Sequence, residues 1–213
     1  MEKSIVSDIR IRKKKELQMI NYNFYYWGPI LFRTTIKEID LNGIQKLCSK
    51  NSKKSFNNQL AGHIEHEYLI DEKKINIILN PYLEAFQRCF RKWYNQPLPK
   101  LKSVVAWVNY MQPGDFNPVH IHHDCDFSSV LYLDVSKQLQ KEIEEYKGTS
   151  RGPGSITFFY GEDNFYTISE QSFKPNTGDF FIFPYSLRHS VNPYKTKCER
   201  ISVSINFKVE EDF

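Results

Sequence analysis

The stretch Asn117-Pro118-Val119-His120-Ile121-His122-His123-Asp124 sets three histidines and an acid within five positions. In an extended strand successive side chains alternate faces, so His120, His122 and Asp124 would share one surface. Neutral imidazoles and carboxylates are ligands for divalent first-row metals. Two histidines and one carboxylate on one side of the ion form the donor set of non-haem Fe(II) sites. The distant donor is expected from His189, beyond the apolar run Gly178-Asp179-Phe180-Phe181-Ile182-Phe183-Pro184. His122, Asp124 and His189 are the favoured triad, because one carboxylate partly neutralises the cation. His120 is the alternate ligand, since strand parity places it on the same face.

A second signal lies near the C-terminus. From Arg200 to Phe207 the residues alternate strictly, with Arg200, Ser202, Ser204 and Asn206 on one face. Ile201, Val203, Ile205 and Phe207 occupy the other. A surface strand has this pattern, and so does a strand whose polar face lines a pocket. In the pocket, Arg200 would clamp a carboxylate through two parallel hydrogen bonds and Ser202 would add another.

Other clusters carry less. Ala61-Gly62-His63-Ile64-Glu65-His66-Glu67 contains a His-x-Glu, but no Arg-x-Ser strand follows at a matching distance. It reads as a surface loop or one edge of the mouth of the site. Cys125 has no second cysteine nearby to build a soft-metal site. Asp126 is expected to cap a hairpin turn with its side chain. Gly152-Pro153-Gly154 is a turn and not a phosphate cradle, because no Lys-Ser/Thr follows.

Strands and turns must position these groups. After residue 101 short apolar segments alternate with turn signals, the texture of a sandwich or barrel. Strands are expected over 103–111, 117–123, 127–135, 155–160, 166–169, 171–174, 179–184, 189–192 and 200–208. A charged insert over 137–147 is expected to be helical. Upstream, β-branched and aromatic residues over 24–36 predict strand, broken at Gly28-Pro29. A helix is expected over 37–50 with Asp40 as N-cap, and another starting at Asn80-Pro81 with Leu83, Phe86, Phe90 and Trp93 inward. Pro97 and Pro99 forbid its continuation.

Composition bounds the remainder. At 213 residues, with 40% hydrophobic and 15% aromatic side chains, the chain can bury a substantial core. One folding unit is expected, a strand-and-helix support region over 1–100 and a catalytic core over 101–213. A net charge of +4 implies no strong electrostatic partner. The basic run at 10–15 reads as a solvated terminus, with a phosphate-contacting arm as the other option. No apolar run reaches membrane-spanning length, and residues 1–18 lack the apolar stretch of a signal peptide. Four scattered cysteines suit free thiols in a reducing compartment, so a cytoplasmic location is expected.

As a set, His122-x-Asp124, His189 and Arg200-x-Ser202 resemble the Fe(II)/2-oxoglutarate-dependent oxygenases. The segment following Asp126 looks like the strand after their metal motif, and the segment at Gly178 like their Gly-turn strand. With Trp107-x-Asn109, Gly114, Asn117 and His120-x-His122, the set looks most similar to small oxygenases of marine tailed phages. The resemblance spans 103–208. It implies a double-stranded β-helix (jelly-roll, cupin-like) core with flanking helices. It also implies Fe(II) on His122, Asp124 and His189, with 2-oxoglutarate and O2 as cosubstrates. Arg200 and Ser202 would hold the distal carboxylate of 2-oxoglutarate, with Tyr132 and Asn109 as further contacts. Relatives of this group often carry His-x-His where His-x-Asp is sought here, which is why His120 stays as the alternate.

The activity so implied is hydroxylation of a substrate C–H bond, coupled to decarboxylation of 2-oxoglutarate to succinate. A protein side chain such as proline is the first substrate class, a nucleobase the second and a small metabolite the third. A phage origin would place the protein in the host cytoplasm. The rival from another class is a non-catalytic cupin-like binding or virion-associated protein, for which an intact Arg200 and Ser202 would be superfluous. A zinc hydrolase would accept a similar donor set, but the sequence singles out no general base.

Overall fold

The computed structural model describes residues 28–48 and 55–210. The basic run at 10–15 and the first residues of the strand region at 24–36 lie outside them. In chain order the elements are β1 (Phe32–Thr35), α1 (Glu38–Gln45), β2 (Glu67–Leu69), α2 (Glu72–Tyr94), β3 (Leu101–Met111), β4 (Asn117–His120) and β5 (Phe127–Asp134). There follow α3 (Lys137–Glu145), β6 (Ile156–Phe159), β7 (Glu170–Phe173), β8 (Asp179–Pro184), β9 (Arg188–Val191) and β10 (Arg200–Val209).

Two antiparallel sheets result, one ordered β1-β8-β5-β10-β3-β2 and the other β4-β9-β6-β7. This is the double-stranded β-helix that the family resemblance implies, and a form of the sandwich expected from the strand pattern. The two edges of the larger sheet, β1 and β2, come from the first hundred residues.

Side-chain alternation divides the interior in two. On β8, Phe180 and Ile182 face the core beneath the helices, whereas Phe181 and Phe183 face the space between the sheets. On β10, Val203, Ile205 and Phe207 join the helix-backed core. Strands buried on both faces read as unbroken apolar runs, which is why Phe-Phe-Ile-Phe shows no alternation in type.

Helix α2 covers the outer face of the larger sheet with Ile75, Leu79, Leu83 and Phe86. It begins well before the expected Asn80-Pro81 start. The Asp71 side chain caps it by accepting from the Lys73 and Lys74 amides at 3.1 Å, and Pro81 lies within the helix. A proline there leaves the carbonyl four residues earlier without its donor. That residue is Ile77, which is 74% exposed, so the carbonyl sits on the solvent side. Asn95, at φ 55°, then ends the helix in the left-handed conformation.

Asp40 is not the cap of α1 either. It lies in the first turn and accepts from the Tyr82 hydroxyl at 2.6 Å, tying α1 to α2. Two strand expectations change as well. β4 stops at His120, and 166–169 form no strand but part of an exposed connection between β6 and β7. Asp126 caps no hairpin; it accepts from the Val209 amide at 2.8 Å and holds the end of β10. The four cysteines are free thiols, and no described helix is long and apolar enough to cross a membrane.

Phe86 is fully buried against Phe32, Phe90 and Phe127, with ring centroids 5.5, 6.3 and 5.1 Å away. Phe86→Ala is therefore expected to destabilise the fold by about 3–5 kcal/mol. Phe165→Ala, at a position 91% exposed, should change stability by less than about 0.5 kcal/mol. Urea unfolding of both variants checks this.

Candidate metal centre and its cavity

The pairing of β4 with β9 sets His120 directly opposite His189. His122 follows just past the strand, where its amide donates to the Tyr185 carbonyl at 3.0 Å. Its ring packs near Trp107 and Phe183, at centroid distances of 6.1 and 6.3 Å. The ligating atoms of His120, His122 and His189 all lie within 4.8 Å of one another.

The surrounding backbone decides which nitrogens face inward. His120 Nδ1 lies 2.8 Å from the Pro118 carbonyl, and His189 Nδ1 lies 2.9 Å from the Leu187 carbonyl. A carbonyl only accepts, so each Nδ1 carries the proton and each Nε2 keeps its lone pair. His122 Nε2 and His189 Nε2 are 3.3 Å apart. Two metal–nitrogen bonds of about 2.0–2.1 Å, at right-angled to tetrahedral geometry, separate their nitrogens by about 2.8–3.4 Å. The spacing fits neighbouring ligands on one divalent cation.

Electrostatics favour the same state. Burial holds all three rings below the usual imidazole range, and the neighbouring rings lower His122 and His189 further. His122 falls to about 3. The rings therefore stay neutral near pH 7, the form that binds metal.

Asp124 is not brought into this group. The strand on which parity rests ends at His120, and Asp124 takes a left-handed φ of 57°. Its exposed side chain lies at the rim of the cavity instead. The sequence pattern thus holds two candidate pairs, and the structure assembles His120 with His122.

The rings open onto a cavity of about 830 Å³ between the sheets. The polar face of β10 lines it, with Arg200, Ser202, Ser204 and Asn206 all contributing. Arg200 is 2% exposed and donates through Nη1 to the Gly154 carbonyl at 2.9 Å. Its guanidinium carbon stands 5.2 Å from the centre of the Tyr132 ring. Arg200 Nε and the Tyr132 hydroxyl are both buried without a hydrogen-bond partner. Burial pushes the Tyr132 phenol up to about 12, against the pull of Arg200, so it stays a donor. Beside them, Asn109 donates to Ser204 Oγ at 3.2 Å. Unsatisfied buried donors are costly, and a carboxylate is the group that would satisfy these two together.

The stretch from Ala61 to Glu67 contributes more than an edge. Gly62 and Ile64 line the cavity, and a Cβ on Gly62 would stand 2.0 Å from Asn117 Oδ1. Glu67 lies inside the cavity, a position sequence reading missed. The available signal was its place at the head of a short Glu-Tyr-Leu strand after a polar loop. His63 is turned away to stack on Phe116 at 4.5 Å.

A double-stranded β-helix with a three-histidine cluster able to hold a divalent metal ion is thus the class that fold and site define. Residues 105–206 match the model of a family described as "Putative 2OG-Fe(II) oxygenase". That match, over slightly less than half of the chain, supports the 2OG-Fe(II) oxygenase superfamily, whose members use Fe(II), 2-oxoglutarate and O2. No sequence match to a curated protein is found.

Among solved structures, a Pseudomonas putida prolyl-4-hydroxylase is 18% identical with a TM-score of 0.53, covering 85% of this chain and 93% of that one. The viral collagen prolyl hydroxylase of Paramecium bursaria Chlorella virus-1 is 14% identical with a TM-score of 0.52, covering 84% and 96%. A Trichoplax adhaerens prolyl hydroxylase is 12% identical with a TM-score of 0.55, covering 85% and 84%. At these identities the likeness is one of fold.

Anaerobic Fe(II) titration followed by calorimetry tests the ligand set. His120→Ala, His122→Ala and His189→Ala are each expected to weaken binding by about a hundredfold or more, and Asp124→Ala by less than about threefold.

Proposed function

We propose that the protein is an Fe(II)- and 2-oxoglutarate-dependent dioxygenase that hydroxylates a C–H bond of a protein side chain. The observation that carries this reading is the pairing of a three-imidazole centre with a buried, incompletely bonded Arg200 and Tyr132 in one cavity. A metal with no carboxylate cosubstrate would leave those two donors without a purpose.

In this reading His120, His122 and His189 hold Fe(II). Bound together, the metal and 2-oxoglutarate supply the oxidising power, with one O2 yielding succinate, CO2 and the hydroxylated product. Arg200 binds the distal carboxylate, backed by the Tyr132 and Ser202 hydroxyls, and Asn109 orients the cosubstrate from the neighbouring strand. The phenol of Tyr132 stays protonated and donates. Gly154, whose carbonyl receives Arg200, keeps the guanidinium plane fixed along the cavity wall. Phe183, Trp107 and Val191 exclude water around the imidazoles.

The substrate class is supported by the fold shared with prolyl hydroxylases, and peptides carrying prolyl, lysyl and arginyl side chains are assayed side by side. Succinate release from 2-oxoglutarate, with and without peptide, provides the test. Arg200→Ala is expected to raise the KM for 2-oxoglutarate by about tenfold to a hundredfold, and Tyr132→Phe by several-fold. An unchanged KM in Arg200→Ala would remove the cosubstrate site from this cavity.

A further inference from the structure

Strand register places four polar side chains on one rung across the larger sheet. Tyr132 on β5 is opposite Ser202 on β10, Ser202 is opposite Asn109 on β3, and Asn109 is opposite Glu67 on β2. Directly paired residues present their side chains to the same face, and all four line the cavity. Tyr132, Ser202 and Asn109 belong to the cosubstrate site proposed above. Glu67, at the end of the rung, does not.

Glu67 is 2% exposed, and its Oε2 is buried with no hydrogen-bond partner. Burial, with a smaller contribution from Asp115, pushes its carboxyl up to about 7. No cation among the described residues offsets this. The other buried acid, Asp179, is held differently: both of its oxygens accept from Arg33 at 2.9 Å. An isolated buried carboxyl is costly, and a charged donor from outside the chain would relieve that cost. The adjoining wall carries Phe56 and Trp107, whose ring centroids lie 5.5 Å apart. Aromatic faces beside a carboxylate suit an alkyl chain ending in a cationic nitrogen.

The geometry points to Glu67 as the group that recognises substrate, taking a primary ammonium or guanidinium on an alkyl chain laid along Phe56 and Trp107. This rests on the oxygenase reading and narrows its substrate to basic side chains. A prolyl ring within a peptide brings Glu67 no N–H. The region before residue 100 would then supply specificity, and the metal and cosubstrate residues the chemistry.

The test is calorimetric titration of the full-length protein with n-butylguanidinium, n-butylammonium and the neutral n-pentanamide. Each titration is run with Fe(II) and 2-oxoglutarate present anaerobically, and again without them. Wild type is expected to bind the cations at least about tenfold more tightly than the amide, and Glu67→Gln to abolish that preference. Equal binding of cation and amide by wild type overturns the proposal. So does a preference that survives Glu67→Gln, or a variant that loses affinity for 2-oxoglutarate and keeps it for the cations. The wild-type comparison stands without the variant, whose melting temperature reports its folding. A cation preference in a protein that binds neither Fe(II) nor 2-oxoglutarate would sink the oxygenase reading and leave Glu67 in its role. Cosubstrate binding without a cation preference would do the reverse.

Discussion

Strand β10 is buried on both faces, and the rest of the structure depends on which face carries which residues. Its apolar side packs beneath α2, and its polar side forms the floor of the cavity. A one-residue slip would put Arg200 into the aromatic core and Val203 into the cavity, so register is strongly specified. Pairing on both sides, to β3 and β5, carries that register across the sheet. It places Asn109 and Tyr132 beside Ser202 and delivers Arg200 to the end of the cavity.

The metal centre solves a different problem. Three neutral imidazoles bring no charge to offset a divalent cation, so the anionic partner must come from elsewhere. In the proposed function Arg200 and Tyr132 receive one carboxylate of a dianionic cosubstrate, which supplies that missing charge. The donor set alone would also serve zinc. The buried guanidinium distinguishes the two cases, because a metal-bound water gives it nothing to bind. The hydrogen bonds from Nδ1 to the Pro118 and Leu187 carbonyls fix the rings before any ion arrives.

Much of this was legible in the sequence because alternation is a local property. The two-faced alternation of β10 follows from strand parity, whereas parity alone leaves its polar face free to meet water or a pocket. The pocket placement of Tyr132 and Asn109 is what the family resemblance implies, and the register of β3, β5 and β10 accounts for it. What sequence reading missed depended on where elements end. Strand parity reaches Asp124 only if the strand continues, but β4 stops at His120 and the backbone turns left-handed at Asp124. Asn80-Pro81 has the form of a helix start, whereas the Asp71 cap begins α2 nine residues earlier and a solvent-facing carbonyl tolerates the proline. Glu67 gave little warning, since its burial comes from β2 pairing with β3 across a long sequence separation. Long-range pairing of a three-residue strand leaves almost no local trace.

In the proposed function one cavity binds both Fe(II) and 2-oxoglutarate, with the metal held by three histidines. Anaerobic addition of 2-oxoglutarate to the Fe(II)-loaded protein, followed by visible absorption, tests it most directly. A saturable metal-to-ligand charge-transfer band is predicted in wild type and in Asp124→Ala, and none in His120→Ala. A folded wild-type protein that gives no band, or a band that survives in His120→Ala and vanishes in Asp124→Ala, would contradict it.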